Sequence, residues 1–445
     1  MSNIQFEIYK KYRNDYYIEY FPEDFCFRKN QENTYLTKYQ EFVAEYFKFR
    51  PNQRGLLVYH ELGSGKTLAS INWARVMSNI LGYDEVFIIS SKILCENFIK
   101  ETKKFFGNDI EFIKKIIPID INKLERGKNI MFENSLIIID EVQIFNDGII
   151  HGNKDMVELY ETIFRTKNVK ILLLTATPIL SNPFELSPLF NLLSGQELFP
   201  RDGYNFKGLY IDDRENTVYR KGKFKKITEG YISYYKGQKD DINIMAVNKG
   251  IQLIISRRSG NPEVSKLNDF YKEYEKKSKK IGNIFVYTEN RNIISNILDN
   301  IKDSVYLDNE VDESILDKFN SPDNINGKYA KCLVVSSGSM FGISVFNVRY
   351  VFVMEPKNEF REFDQILGRC LRLCSHKDLP INKRNIRYYV LLSSKLEIQK
   401  YEASILYDDI NSEFYNILQK NAIDRLIFEP RKKEGLIEKF KRFYS

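Results

Sequence analysis

A glycine-rich phosphate loop, Gly63-Ser64-Gly65-Lys66-Thr67, constrains the fold of this chain more than any other sequence feature. The apolar run at residues 55–59 before it has the pattern of a buried strand, and residues 66–81 after it have the pattern of a helix. In a strand–loop–helix, the glycines let backbone amides surround a β-phosphate while Lys66 reaches the β and γ oxygens. Thr67 is then the expected ligand of Mg²⁺. The alternative is a glycine turn that merely caps a surface helix.

Short β-branched runs alternate with helical patterns along the rest of the chain, which predicts parallel sheets covered by helices. The predicted strands form two series, at residues 55–59, 85–90, 135–140 and 170–174, and at 283–287, 331–336, 350–354 and 387–392. The clearest predicted helices are residues 66–81, 92–106, 293–301 and 362–373. The fold class is therefore α/β, with two lobes that each contain a mainly parallel sheet.

The two series of strands divide the 445 residues into domains. We expect an ATP-binding first lobe at residues 35–195 and a second lobe at residues 282–395. The segment between them, residues 196–281, is rich in Gly, Lys and Tyr and is predicted to be a helical connector that holds the lobes at a variable angle. Residues 1–34 form an aromatic-rich lead-in, and residues 396–445 a C-terminal helical extension.

Composition limits the partners and the location of the protein. The net charge of +7 permits a nucleic-acid partner but does not by itself predict one. The N-terminal residues lack the apolar core of a signal peptide, and no stretch approaches the roughly 18 apolar residues that span a bilayer. We therefore expect no membrane association and a cytoplasmic location.

A second apolar run ends in adjacent carboxylates, Asp140 and Glu141, 74 residues after Lys66. Asp140 is suited to hold Mg²⁺, and Glu141 to orient and deprotonate an attacking water. Adjacent acids after a strand are more often a solvated turn when they occur alone. Together with Lys66 they indicate the second half of a nucleotide site.

Two arginines near the end of the second series complete the nucleotide site. If residues 365–372 are helical, Gln365, Arg369 and Arg372 lie on one stripe, spaced i, i+4 and i+7. Guanidinium groups match phosphate oxygens and stabilise the charge of phosphoryl transfer. The interpretation is a nucleotide held between two lobes. A solvated basic helix face is the alternative.

This set of motifs resembles the superfamily 2 helicases and translocases. Residues 60–67, 140–143, 175–177 and 365–372 are similar, in order, to their motifs I, II, III and VI. The resemblance implies RecA-like lobes, ATP and Mg²⁺ as cofactors, and an upstream glutamine, Gln40, at the adenine edge. It also implies that Gln143, Thr175 and Thr177 couple the nucleotide to movement of the lobes. Nucleic acid would contact residues that follow strands in both lobes, namely Ser90, Ser91, Lys92, Ser336, Ser337 and Gly338.

Within that superfamily the chain resembles a group of viral ATPases that includes the poxvirus nucleoside triphosphate phosphohydrolase I and the early transcription factor small subunit. Relatives of this group occur in other large cytoplasmic DNA viruses and in cytoplasmic linear plasmids of yeasts. The phrases that carry this resemblance are residues 230–235, residues 365–369, and Ser375-His376. It implies DNA-dependent ATP hydrolysis, a role in transcription, an RNA polymerase or transcription complex as a partner, and a location in the host cytoplasm or the virion.

Two other functions fit the same motifs. An RNA helicase is one, because the motifs do not distinguish RNA from DNA. A non-catalytic scaffold with helicase-like lobes is the other, although the intact Lys66, Asp140, Glu141, Arg369 and Arg372 argue against it.

Overall fold

A computed structural model describes residues 36–61, 63–124, 130–212, 217–235, 247–256, 261–307, 312–337, 343–372 and 374–425. Its helices are α1 (Lys38–Phe49), α2 (Lys66–Leu81), α3 (Lys92–Phe106), α4 (Ile110–Lys114), α5 (Val142–Ile150), α6 (Lys154–Arg165), α7 (Leu186–Ser194), α8 (Gly203–Tyr210), α9 (Lys221–Thr228), α10 (Pro262–Ser278), α11 (Arg291–Asn300), α12 (Glu313–Asn320), α13 (Phe360–Gly368) and α14 (Lys395–Lys420). Its strands are β1 (Gly55–His60), β2 (Glu85–Ser90), β3 (Ile116–Asp120), β4 (Ser135–Asp140), β5 (Lys170–Thr175), β6 (Ile211–Asp212), β7 (Thr217–Val218), β8 (Ile232–Tyr235), β9 (Val247–Ile255), β10 (Asn283–Tyr287), β11 (Ser304–Leu307), β12 (Cys332–Val335), β13 (Val348–Val353) and β14 (Ile386–Leu392).

The first lobe is built on a parallel sheet with the strand order β3-β2-β4-β5-β1-β8. Alternate residues of each strand face opposite sides of a sheet. On β1, Leu57 and Tyr59 therefore pack into the core on one side, while Leu56 and Val58 pack into the core on the other. Because helices cover both faces, the central strands carry apolar side chains on both sides along most of their length, as is typical of parallel sheets.

The second lobe repeats this architecture with the order β11-β12-β10-β13-β14-β9, also parallel. Phe285 and Leu333 belong to the core on one face, and Ile284 and Val334 to the core on the other. The predicted α/β fold, with two mainly parallel sheets covered by helices, is confirmed.

The segment interpreted as a connector, residues 196–281, divides between the lobes. β8 pairs with β1, and β9 pairs with β14, so each sheet gains an edge strand from this segment. α10 packs on the second sheet, where the rings of Phe270 and Phe352 lie 5.2 Å apart. Each added strand satisfies the backbone hydrogen-bonding groups of what would otherwise be an open edge. The described part of this segment therefore connects the lobes and also contributes an edge strand to each of them.

The C-terminal helix α14 contacts both lobes. Its first turns lie against the second lobe, where Glu397 pairs with Lys266 at 2.6 Å and Tyr401 packs on Phe363. Its later turns reach the first lobe, where the hydroxyl of Tyr415 donates to the carbonyl oxygen of Ile179 and accepts from its backbone N–H. At 26 residues the helix is roughly 39 Å long, enough to span from one lobe to the other.

Within the described part of the chain, no helix combines the length and apolar character needed to cross a bilayer.

Candidate functional site

The phosphate loop joins the end of β1 to the start of α2, as the sequence predicts. Gly63 and Gly65 have φ values of 79° and 76°, a conformation that glycine adopts without strain. A Cβ atom on Gly65 would lie 2.4 Å from Nε2 of Gln40, so a larger residue there would displace the end of that side chain from the loop. Ser64, between them, is buried.

Gln40 lies against this loop from α1. Its Nε2 donates to the carbonyl oxygens of Ser64 and Gly65 at 3.4 and 3.3 Å, and its Oε1 accepts from the backbone N–H of Thr37. Tyr39 adds a hydrogen bond from its hydroxyl to Ser64 O at 2.7 Å, and its ring stacks on Tyr235 at 3.7 Å. The helix α1 therefore fixes the shape of the loop, a contribution of Tyr39 that the sequence motif does not reveal.

Lys66 and Thr67 begin α2 immediately after the loop. The ammonium of Lys66 donates to the carbonyl oxygen of His60 at 3.0 Å, which holds the side chain over the loop. Burial lowers the pKa of Lys66 to about 8, although the nearby Glu141 and Asp140 oppose this shift. Because the nearby carboxylates do not fully compensate the buried ammonium of Lys66, the site favours the binding of an added anion.

Asp140 and Glu141 stand at the end of β4, in the same sheet as β1. The backbone N–H of Glu141 donates to Oδ1 of Asp140 at 3.0 Å. Burial and the adjacent Glu141 raise the pKa of Asp140. Burial acts to raise the pKa of Glu141 too, but the charges of Lys66 and Arg369 outweigh it and lower that pKa overall. The two acids are therefore electrostatically unequal, as a metal ligand and a base would be.

Glu141 also has an unusual backbone. Its φ of 49° and ψ of 52° place it in the left-handed region, directly before α5. For a residue other than glycine this conformation is strained, and such strain is concentrated at functional sites. It turns the chain so that the carboxylate of Glu141 faces Arg369 of the second lobe.

The second lobe completes the site with Arg369 and Arg372. Nη2 of Arg369 lies 3.8 Å from Oε1 of Glu141, and a Cβ on Gly63 would lie 3.7 Å from Arg372 Cα. The Nε atoms of both arginines are buried without a hydrogen-bond partner among the described residues. Unpaired buried donors beside a glycine loop fit the oxygens of a triphosphate, and Thr67 with Asp140 supplies the oxygen ligands suited to Mg²⁺.

The predicted helical stripe of Gln365, Arg369 and Arg372 is wrong in its geometry. The helix α13 ends at Gly368, and Arg369 already follows it as the C-terminal cap. Beyond it, Ser375 Oγ donates to Cys370 O, and the backbone N–H of Arg372 donates to Ser375 Oγ. This turn, rather than a helix, brings Arg372 to the phosphate loop.

A hydrogen-bonded series links the two lobes beside the acids. Gln143 Nε2 donates to Glu141 Oε2 at 2.7 Å, and Thr175 Oγ1 donates to Gln143 Oε1 at 2.6 Å. The N–H of Thr177 donates to Thr175 Oγ1 at 2.9 Å, and Gln365 Nε2 donates to Thr177 Oγ1 at 2.9 Å. The four residues expected to couple or catalyse thus form one series of hydrogen bonds that starts at Glu141 and ends at Gln365.

The residues expected to hold nucleic acid differ in their accessibility. Ser90 is fully buried and its hydroxyl donates to the carbonyl oxygen of Asp140. The prediction that Ser90 contacts nucleic acid is therefore wrong. This serine is instead a packing contact between β2 and β4. Ser91 precedes α3 as its N-terminal cap, and Lys92 is exposed, 3.8 Å from Glu96.

In the second lobe, Ser336 and Ser337 follow β12 as expected, while Gly338 lies outside the described residues. The hydroxyls of Ser336 and Tyr306 lie 3.3 Å apart. Ser337 is exposed and contacts Glu289 through its backbone N–H and its hydroxyl.

A buried polar cluster behind the phosphate loop was not found from the sequence. Nε2 of His60 lies 2.8 Å from Ser233 Oγ, which donates to a carboxylate oxygen of Asp424. Burial lowers the pKa of His60 to about 3 and raises that of Asp424 to about 7. These residues stand at positions 60, 233 and 424, so no local spacing could reveal that they meet.

The chain is similar to several known proteins. Residues 33–180 match the family model described as the res subunit of type III restriction enzymes. A protein of Acanthamoeba polyphaga mimivirus, described as "Putative ATP-dependent RNA helicase", is 24% identical over an alignment that covers 88% of this chain and 88% of that protein. The "Termination factor NPH-I homolog" of African swine fever virus is 31% identical over 231 residues, which are 48% of this chain and 32% of that protein. The chain thus spans about a third of the length of this second relative. The solved structure of S. cerevisiae Dbp5 bound to RNA and ADP BeF3 aligns with 86% of this chain and 93% of its own, at 14% identity and a TM-score of 0.49.

Proposed function

We propose that this chain, which has viral NPH-I termination factor homologs among its relatives, is a superfamily 2 nucleic-acid-dependent ATPase that moves along DNA. The proposed setting is viral or plasmid transcription in the cytoplasm, with an RNA polymerase or transcription complex as the partner. The NPH-I homology over 48% of the chain supports this setting.

One observation carries the proposal. Arg369 and Arg372 of the second lobe meet Glu141 and the phosphate loop of the first, and both arginines keep an unpaired buried Nε. Leaving a buried donor unsatisfied costs about 1–3 kcal/mol, so a ligand with several anionic oxygens would relieve both costs at once. A nucleotide triphosphate between the lobes satisfies this requirement, because it is anionic and touches both.

Each residue then has a definite task in hydrolysis. Lys66 and the loop amides hold the phosphates. Thr67 and Asp140 would hold Mg²⁺, whose positive charge would offset that of the phosphate oxygens. Glu141 orients the attacking water and takes its proton, which its lowered pKa permits because the carboxylate is ionised at neutral pH. Arg369 and Arg372 stabilise the charge that develops on the transferred group.

Hydrolysis reaches the nucleic acid through the contacts between the lobes. When the γ-phosphate leaves, the arginines lose a partner and the bond from Gln365 to Thr177 is free to break. Lys92 in the first lobe and Ser337 in the second are the exposed candidates that hold the nucleic acid, whereas the hydroxyl of Ser91 is buried. Because these residues lie in different lobes, movement between the lobes changes their contacts with the nucleic-acid backbone.

An RNA substrate is the competing possibility, and the name of the mimivirus relative supports it. Contacts to phosphate are common to both nucleic acids, whereas the 2′-hydroxyl distinguishes them. The residues named above are all phosphate-type donors, so they leave the choice to experiment.

The test is an ATPase assay of the full chain with single-stranded DNA, duplex DNA and single-stranded RNA. We expect DNA to stimulate turnover roughly tenfold or more, and Lys66→Ala to reduce it at least about 100-fold. Lys114→Ala, which changes an exposed lysine on α4, is the matched control and should behave as wild type. Full-rate hydrolysis without nucleic acid would overturn the proposal, as would an absence of turnover under every condition. Stronger stimulation by RNA than by DNA would replace the DNA substrate with RNA.

A further inference from the structure

Glu289 and Ser337 are brought together by the register of two neighbouring strands. β10 and β12 pair in parallel, with Tyr287 opposite Val335. Glu289 is two residues past the first, and Ser337 two residues past the second, so both lie just beyond the carboxyl edge of the sheet. Ligands of parallel α/β sheets bind at this edge.

The carboxylate of Glu289 occupies the donors of Ser337. Oε2 of Glu289 accepts from the hydroxyl of Ser337 at 3.0 Å and lies 3.4 Å from its backbone nitrogen. A backbone N–H and a hydroxyl on one residue after a strand are the donors that bind phosphate oxygens in nucleic-acid complexes. An anion is therefore already bound where the sequence predicts a phosphate contact.

The other oxygen of the same carboxylate is held on the opposite side. Oε1 accepts from the hydroxyl of Tyr287 and lies 3.6 Å from the ammonium of Lys357. Burial acts to raise the pKa of Glu289, but the hydrogen bond from Tyr287 and the charge of Lys357 lower it overall, so the group is ionised at neutral pH. If Oε2 leaves Ser337, the carboxylate keeps Tyr287 and Lys357 as partners.

We propose that Glu289 holds the place of a nucleic-acid phosphate on Ser337, so that the strand and this carboxylate compete for the same donors. Glu289 thereby lowers the affinity of the second lobe for the backbone, and a bound strand displaces it toward Lys357. This inference rests on the proposed function, because the competitor it requires is a phosphodiester of DNA or RNA.

General charge repulsion would also make an exposed glutamate weaken binding, and the competition differs from it in one respect. Repulsion by Glu289 acts whether or not Ser337 offers donors, since it depends only on distance and salt. Competition weakens when Ser337 loses its hydroxyl, because one of the two contested donors is then gone. The effect of Glu289 must therefore depend on Ser337.

The experiment measures the binding of a fluorescein-labelled 20-nucleotide DNA, and of the same sequence as RNA, to the full chain by anisotropy at low salt. We expect Glu289→Gln to tighten binding roughly 3- to 10-fold and to lower by the same factor the nucleic-acid concentration that half-stimulates ATP hydrolysis. Glu111→Gln makes the same change of net charge at an exposed position in the first lobe and should leave binding within about twofold of wild type.

Ser337→Ala completes the comparison. Alone it should weaken binding, and Ser337→Thr, which keeps the hydroxyl, should restore it. In the Ser337→Ala background, which keeps only the backbone N–H as a contested donor, Glu289→Gln should give a clearly smaller gain than it gives alone. Thermal unfolding of each variant verifies that it is folded.

Each outcome bears on the inference separately from the proposed function. If wild type binds nucleic acid and Glu289→Gln equals Glu111→Gln, the competition is refuted and the proposed function stands. If the gain persists undiminished with Ser337→Ala, repulsion replaces competition. If wild type binds neither nucleic acid, both the inference and the proposed function fall.

Discussion

Gln365 of the second lobe donates a hydrogen bond from Nε2 to Oγ1 of Thr177 in the first lobe, at 2.9 Å. Through Thr175 and Gln143 this bond is continuous with Oε2 of Glu141, the acid that we propose activates water. The side chain of Glu141 also faces Arg369. The proposed base therefore contacts the second lobe in two ways, through this series of neutral hydrogen bonds and through its ion pair with Arg369.

Replacing Gln365 should weaken this coupling without removing the nucleotide site. We expect Gln365→Ala to reduce nucleic-acid-stimulated turnover about tenfold while the affinity for ATP stays within about twofold, because the phosphate loop is unchanged. The measurements are steady-state kinetics and binding of a fluorescent ATP analogue. Gln196→Ala, at an exposed position between α7 and α8, is the control and should match wild type. Equal kcat values for both variants would show that the bond is incidental.

The arginines should be more costly to lose, and lysine should not replace them. Arg369→Ala and Arg372→Ala are each expected to reduce kcat about 10³-fold, since an arginine finger contributes 10³ to 10⁵. Arg369→Lys should recover little of this, because an ammonium cannot reproduce the planar fork of donors. Arg165→Ala, an exposed arginine paired with Glu161, is the control. Near-normal single-turnover hydrolysis by Arg369→Ala would contradict its role.

Asp424 should make the stability of the protein fall as pH rises from 5.5 to 7. Its pKa is raised by burial to about 7, whereas an Asp in the unfolded chain ionises near 3.9, so in this interval the folded state holds a proton that the unfolded state has lost. Stability is lost as that proton leaves, by roughly 2 kcal/mol over 1.5 pH units. Asp424→Asn has no titratable group at this position. The melting temperature of the variant minus that of wild type should therefore be larger at pH 8.5 than at pH 5.5. A constant difference between the two proteins would show that Asp424 ionises normally.

Tyr415 should be important for the attachment of α14 to the first lobe. Its hydroxyl is bonded to both the carbonyl oxygen and the N–H of Ile179, which is fully buried two residues after Thr177. Tyr415→Phe leaves both backbone groups unsatisfied and should lower the free energy of unfolding by about 1–3 kcal/mol. Tyr271→Phe, which removes a hydroxyl bonded to the exposed Asn296, should cost less, at most about 1 kcal/mol. Denaturant unfolding measures both, and equal losses would contradict the role assigned to Tyr415.

The central strands and their helices could be predicted because their signal is local. β2 and β4 have the bounds expected from the sequence, and so do α2 and α3, since continuous apolar runs bounded by polar residues specify buried parallel strands. β8 and β9 were missed. β8 has only four residues, and β9 includes Lys249 and Gly250, so neither shows the apolar run of an inner strand. Their pairing is decided by the open edges of β1 and β14, which no local window includes.

The proposed site was predictable in its residue types and less so in its geometry. The phosphate loop and the two acids follow strands of one parallel sheet, so their proximity follows from the fold. The turn after Gly368 could not be foreseen, because residues 365–372 continue a helical pattern and only the contacts of Ser375 show where the helix ends. The burial of Ser90 is equally hidden in the sequence, since a serine at the end of a strand faces solvent or a neighbouring strand with equal ease.

The helix α14 couples the opening of the nucleotide cleft to the contacts made at the C-terminal end of the described chain. A rod of fixed length that is seated on both lobes prevents them from simply drawing apart, so separation must either swivel about it or unseat residues near Tyr415 and Asp424. A ligand that binds this end of the chain would consequently alter the affinity for ATP, and ATP would alter the affinity for that ligand by the same factor. Binding at the C-terminal end of α14 would therefore shift the equilibrium between closed and separated lobes.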